Sequence, residues 1–441
     1  MRRAVSLVLL RIASSTRPSP GCGSAPPHPL GETFSATLDF GGRARAYEAY
    51  VPATYSASGG APLALVLSLH GMGGTSREDA CDSGTTAVAR DTGAFIAVHP
   101  QGLSDIDRKN PAAWTSWHFN GTCQNGGVSC DTRQTPDRYC YASNAACGDC
   151  DWTTCADDVG FLEALLDALE AAWCVDRDRV YATGQSNGGM MAYQLGAALS
   201  PRLAAIAPIS GSLHWGRLVA PRAPIPVLAV TGTNDRTVPA NASGGAPYAS
   251  DGTWWYYTMA GLAAGWRDAQ ACDGVEAHYA TSLDGVDGLW CKTACSNVDH
   301  VLCSWSGAHN YFTGPGAKYV YHCAPENRDE TYYDNGRLVW EFFSRHTRAR
   351  DPARAPARRG VPSTTAARLV ACALGTIAIA CVGGAFGRYR RRHQRSGPGF
   401  AVLCDDGHDD GGAHAAGSAA LQFELAAGPE CVDRKDVAVR I

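Results

Sequence analysis

Between residues 33 and 347 the chain alternates short continuous apolar runs with stretches of helical periodicity. Residues 63–69 (LALVLSL) form a run of strand length, as do 94–98, 180–183, 204–209 and 226–230. Residues 159–169 place apolar side chains at helical spacing behind Asp157 and Asp158, carboxylates that suit a helix N-terminus. Residues 189–199 predict a second helix and 334–346 a closing amphipathic one. Strands apolar on both faces, separated by helices, predict an α/β fold: a mostly parallel sheet flanked by helices. The aromatic run 254–257 fits a helix core better than a stacking platform. Residues 103–154 fit no such unit, and their Cys, Gly, Asn and Asp content predicts a disulfide-held insertion over the sheet.

The ends have a different character. Residues 1–15 open with Met1-Arg2-Arg3 and a short apolar run, the pattern of a signal peptide interrupted by Arg11. A Pro/Gly/Ser-rich stretch up to residue 32 reads as an unstructured leader. Residues 348–368 form a basic, Pro-rich linker. The 19 uncharged residues 369–387 are long enough to cross a bilayer once as a helix, and arginines follow at 388, 390, 391, 392 and 395. Arginines flank this segment on both sides, so the positive-inside count does not orient it. The tail 388–441 is rich in Gly, Ala and Asp and reads as disordered and cytoplasmic.

Composition sharpens the compartment. Thirteen of the 18 cysteines fall between Cys81 and Cys323, a density that points to disulfides in an oxidising environment. Zinc is the alternative, through Cys147, Cys150 and Cys155, but no second pair or matching His pair completes a site. Thirteen is odd, so one thiol is free or Cys22 takes part. Sequons at Asn120 and Asn241 point the same way, placing the large N-terminal part outside the membrane. A net charge of −4 gives no reason to expect a nucleic-acid partner.

Gly184-Gln185-Ser186-Asn187-Gly188 matches G-x-S-x-G between a predicted strand and a predicted helix. That context makes Ser186 a candidate nucleophile, raised on a sharp turn at the edge of the sheet. His70-Gly71-Met72-Gly73-Gly74, after the 63–69 strand, supplies the second half of an oxyanion hole. The candidate donors are the backbone N–H of Asn187 and one from Gly71 or Met72. In an α/β-hydrolase the acid and then the base follow the nucleophile along the chain. Asp235 lies just past the 226–230 strand. His309, on a small-residue loop before the closing helix, is preferred as base over His278, His300, His322 and His346. Trp114, Trp117 and Trp305 are candidates to line an apolar substrate pocket. No cofactor or metal is implied.

Together these motifs resemble the polyhydroxybutyrate depolymerase and feruloyl esterase group of α/β-hydrolases. The resemblance covers residues 34–346 and rests on Leu69 to Gly74, on Asp157-Asp158-Val159-Gly160-Phe161, and on Tyr181 to Met190. It continues through Asp235 with Val238-Pro239 and into Trp340 to His346. It implies Ser186, Asp235 and His309 as nucleophile, acid and base of a serine esterase acting on a small or polymeric ester. One departure is Gly307-Ala308-His309-Asn310-Tyr311, where the group has Gly-Gly-His followed by Trp-Pro. A serine peptidase on the same fold and a non-catalytic, membrane-anchored binding ectodomain are the alternative readings.

Overall fold

A computed structural model describes residues 16–104, 114–119, 153–154, 156–239, 248–250, 254–293, 295–313 and 332–348. All belong to one compact unit; a second unit, Asp351–Glu430, lies outside the described residues.

Strand β1 (Thr33–Phe40) turns into β2 (Arg43–Tyr50) through Gly41 and Gly42, both at positive φ (59° and 75°). Two such residues make the tight hairpin turn whose twist matches paired strands. Strand β3 (Leu63–Leu69) leads to helices α1 (Ser76–Asp82) and α2 (Thr85–Thr92), then β4 (Phe95–Pro100). Helix α3 (Asp158–Ala172) is capped by Asp157, whose carboxylate accepts the Gly160 N–H at 2.8 Å. There follow β5 (Val175–Gln185), α4 (Asn187–Ala198), β6 (Ala205–Ile209) and β7 (Val227–Gly232). A small ribbon of β8 (Tyr248–Ser250) and β9 (Trp254–Tyr256) precedes α5 (Met259–Ala269). Strands β10 (Ala277–His278), β11 (Trp290–Thr293) and β12 (His300–Trp305) and helix α6 (Tyr333–Phe343) complete the unit.

Ten of these strands form one sheet in the order β1-β2-β4-β3-β5-β6-β7-β12-β11-β10. The six from β4 to β12 are parallel, and the edges are antiparallel. The chain runs outward from β3 to β4 and then returns to place β5 on the other side of β3. That reversal leaves a crevice at the carboxyl ends of β3 and β5, where ligands of open α/β sheets bind.

Alternate residues of β3 feed two cores. Leu65, Leu67 and Leu69 face one with Phe161, Met191 and Trp266 of helices α3, α4 and α5; Ala64 and Val66 face the other with Val88, Leu338 and Phe342 of α2 and α6. Each fully buried leucine contributes roughly 2–3 kcal/mol, so the central strand anchors both layers.

Two expectations are corrected. The aromatic run from Trp254 lies in strand β9, paired with β8 rather than in a helix. The 16–32 segment is tied down: Cys22 is bonded to Cys174, Pro18 bridges to Asp176, and Ser19 exchanges hydrogen bonds with Val175. Its loop-like composition hid a covalent staple and backbone pairing. Disulfides also join Cys272 to Cys295 and Cys291 to Cys303. The signal segment, both sequons, Cys147, Cys150, Cys155, His322 and the apolar stretch 369–387 lie outside the described residues. Among the described residues no helix is long and apolar enough to cross a membrane.

A buried ion pair helps tie the 114–119 stretch to the frame. Arg45 of β2 meets Asp158 at 2.6 Å, with both side chains almost fully buried, and its guanidinium lies 3.9 Å from the Phe161 ring centroid. Asp158 also accepts the His118 N–H at 2.8 Å. Arg45→Ala leaves that carboxylate buried without its cation and is expected to lower unfolding stability by about 3–5 kcal/mol, measured by urea denaturation.

Candidate active site

Strand β5 ends at Gln185, α4 begins at Asn187, and Ser186 sits on the turn between them at φ 56°, ψ −119°. Such a backbone is costly for a residue with a side chain and is held by its surroundings. The Ser186 N–H donates to Ile209 O at 2.9 Å, and its carbonyl accepts Met190 N–H at 2.9 Å. A Cβ at Gly188 would stand 2.1 Å from Leu69 O, and one at Gly184 2.6 Å from the Gly188 backbone. Only glycine lets the helix start so close to the ends of β3 and β5. The N-terminus of α4 therefore opens beside Ser186, where negative charge is favoured.

His309 Nε2 lies 2.8 Å from Ser186 Oγ, and its Nδ1 lies 2.8 Å from Asp235 Oδ2. A carboxylate only accepts, so in the neutral ring Nδ1 carries the proton and Nε2 offers its lone pair to the serine hydroxyl. Asp235 is buried on the loop after β7, and its Oδ1 accepts the Thr237 and Val238 N–H groups at 2.9 Å each. These two bonds fix the carboxylate plane. The loop after β12 carries His309 across the sheet edge; Asn234 N–H holds Gly307 O at 2.8 Å, and Asn234 Nδ2 donates to Ser306 O at 2.9 Å. Three residues separated by 49 and 74 positions thus converge.

The loop after β3 lies against the same serine. A Cβ on Gly71 would stand 3.4 Å from Ser186 Cβ and 2.6 Å from Gln185 Oε1. Gly73 N–H is committed to Thr115 O and Gly74 N–H to Gly71 O, at 2.8 and 3.1 Å. His70 Nδ1 donates to the Gly71 carbonyl at 2.7 Å while its Nε2 accepts Gly102 N–H at 2.9 Å. Burial lowers the His70 pKa, which keeps the ring neutral in both roles. In a trans peptide the C=O and the following N–H point oppositely, so holding the Gly71 carbonyl fixes the direction of the Met72 N–H.

The tryptophans divide. Trp117, expected to line a pocket, is fully buried: its indole donates to His70 O at 3.0 Å, and its backbone exchanges two hydrogen bonds with the Asn187 side chain, at 2.7 and 3.0 Å. Trp305 is also buried, under Gly307 and edge-on to Phe312 at 5.6 Å. Both are supports for the site, since neither ring faces open space. Trp114 stays 48% exposed with its ring against Gly73, beside the β3 loop. The sequence offered no sign that the Asn187 side chain would serve as a clasp.

The rival bases among the described residues are elsewhere. His278 stacks on Trp290 and pairs with Asp284, and His346 follows α6 near Asp299. His300 starts β12, at the opposite end of that strand from the His309 loop. Burial, reinforced by Arg267, pushes its pKa down to about 4. The unfolded chain protonates this imidazole near 6.5 and the folded chain only near 4, so stability is complete above about pH 6.5 and falls as pH drops between those values. His300→Leu is expected to flatten that slope, by up to roughly 1.4 kcal/mol per pH unit, in unfolding titrations from pH 7 to pH 4. Among the described residues no group of three or more His, Cys, Asp or Glu side chains could hold a metal ion.

Over 208 residues the chain is 33% identical to a putative esterase, NocK, of Nocardia uniformis, covering 47% of this chain and 49% of that one. Over 86 residues it is 36% identical to feruloyl esterase C of Emericella nidulans, covering 20% of this chain and 32% of the relative. The chain is similar to esterases. The aligned part spans about half or less of these relatives' own lengths. Among solved structures, acetyl xylan esterase from Aspergillus awamori aligns at 12% identity and a TM-score of 0.41, over 68% of this chain and 99% of that one. No protein-family model matches the chain.

Proposed function

We propose that the protein is a serine carboxylic-ester hydrolase working by acyl transfer. The observation that carries this reading is the unbroken line Ser186 Oγ–His309–Asp235, with both contacts at 2.8 Å. His309 Nε2 takes the Ser186 proton as Oγ attacks the ester carbonyl. Asp235 holds the ring in the required tautomer and stabilises the imidazolium. The oxyanion of the tetrahedral intermediate is received by the N–H groups of Asn187 and Met72, with that of Gly71 adjacent; the His70–Gly71 bond pre-aims the Met72 donor. Collapse expels the alcohol, which takes its proton from His309. Water, activated by the same base, then releases the acid. Between the two steps the acyl group stays bonded to Ser186 Oγ.

Within that class we place the substrate among hydroxycinnamoyl or short-chain polyester esters. The likeness to a feruloyl esterase and the exposed Trp114 beside the Gly73 loop support this. The Cys22–Cys174, Cys272–Cys295 and Cys291–Cys303 disulfides support an oxidising compartment for the folded unit. The single membrane helix and the outward orientation stay part of the proposal, carried by residues 369–387 and the cysteine distribution. The 2.8 Å reach of His309 to Ser186 favours catalysis over a pure binding role.

The test is a panel of p-nitrophenyl acetate, p-nitrophenyl butyrate, methyl ferulate and peptide p-nitroanilides. Turnover of the esters with methyl ferulate among the best supports the reading. Preference for the anilides makes the protein a peptidase, and inertness toward the whole panel refutes an ester hydrolase.

A further inference from the structure

Two residues past His309, the chain turns a polar side chain inward that no step above employs. The Tyr311 hydroxyl donates to Asp79 Oδ1 of α1. The other oxygen of that carboxylate lies 2.6 Å from His99 Nδ1 on β4, and His99 Nε2 lies 2.9 Å from Thr86 Oγ1 on α2. Asp79, Thr86, His99 and Tyr311 are all buried. A carboxylate in such a place is costly unless its oxygens are bonded, and here both are. Burial opposes ionisation of Asp79, but the bonds from His99 and Tyr311 overcome it and hold its pKa below the ordinary value. Burial and the adjacent Asp79 raise the Tyr311 phenol well above its usual range, so it remains a donor.

The His309 loop already has apolar seating, because Phe312 is fully buried against Trp305. Packing resists compression but is weakly directional; a hydrogen bond to a carboxylate fixed by a second element is directional. Ser210 Oγ adds a bond to Asn310 O at 2.8 Å, so the residues just past His309 are held from two sides.

We propose that Tyr311, seated on the buried Asp79 carboxylate, is a positioning residue that fixes the His309 loop so that Nε2 stays within reach of Ser186 Oγ. This rests on the reading of Ser186 and His309 as nucleophile and base. Among the described residues the Tyr311 hydroxyl bonds to Asp79 and to no member of the triad, so it acts through the backbone it anchors. Misplacement of a catalytic group by about 1 Å can cost on the order of 100-fold in rate.

Tyr311→Phe keeps the ring and removes the hydroxyl. Its kcat on p-nitrophenyl butyrate is expected to fall about 10- to 100-fold with KM unchanged, and the rate of Ser186 labelling by a fluorophosphonate to fall in parallel. Asp79→Asn retains an acceptor for the hydroxyl and is expected to keep more of both rates than Tyr311→Phe. Wild-type kcat and labelling in Tyr311→Phe overturn the inference. So does a fall in melting temperature with labelling unaffected, which marks a packing role alone. A wild-type protein that neither hydrolyses the ester nor takes the label overturns the nucleophile assignment as well, and is recognised without any variant.

Discussion

Ser186→Ala is expected to lower kcat for p-nitrophenyl butyrate by about four to six orders of magnitude while leaving KM close to wild type. The hydroxyl is the only group lost, and it forms the bond that divides hydrolysis into two easier steps. The oxyanion donors proposed on the β3 loop and the α4 N-terminus are left in place by the substitution. Ser186 also occupies a strained backbone position at φ 56°, and alanine tolerates it no better, so the fold should be neither relieved nor further burdened. The residual rate reports what the Asn187 and Met72 amides achieve unaided. Steady-state kinetics with the folded state verified by circular dichroism measures both parts.

Asp235→Asn is expected to cost about 10⁴-fold in kcat with little change in KM or stability. Oδ1 accepts the Thr237 and Val238 N–H groups, and an asparagine oxygen can keep both bonds. The amide nitrogen then occupies the Oδ2 position and presents a donor to His309 Nδ1. That ring must turn an acceptor toward residue 235 and therefore carries its proton on Nε2, where it cannot receive one from Ser186. Stability stays near wild type because the loop bonds persist. A large fall in unfolding midpoint alongside the rate would instead mark Asp235 as chiefly a structural anchor for the 232–238 turn.

The central layer was legible because its signals are local. A strand buried on both faces is apolar along nearly its whole length, and 63–69 is, Ser68 excepted. A nucleophile on a strand-to-helix turn needs small neighbours, and Gly184 and Gly188 mark the place to the residue. The approach of His309 to Ser186 was expected although Ala308 stands where a glycine is usual, because a small-residue loop ahead of a helix leaves the chain free to cross the sheet edge. The antiparallel edges were not legible. Strand β1 alternates between exposed and half-buried residues, and β10 has only two residues, so neither forms an apolar run. Trp117 and Trp305 were misread for a different reason: an indole near a site in sequence can as well be its floor, and only the His70 carbonyl and the buried Phe312 ring decide between them. The Asp79–Tyr311 bond joins residues 232 positions apart, a distance over which no local pattern carries information. The 16–32 stretch misled through composition, since Pro, Gly and Ser describe loops whether or not Cys22 pins them.

The proposed hydrolysis rests on one activated serine, Ser186. Its most direct test is to inactivate the protein with a fluorophosphonate, digest it and locate the adduct by mass spectrometry while following the remaining ester hydrolysis. One adduct per chain is expected, on the peptide containing Ser186, with activity lost in step with labelling and no adduct in Ser186→Ala. Hydrolysis that persists in fully labelled protein, or an adduct on another residue, would contradict it.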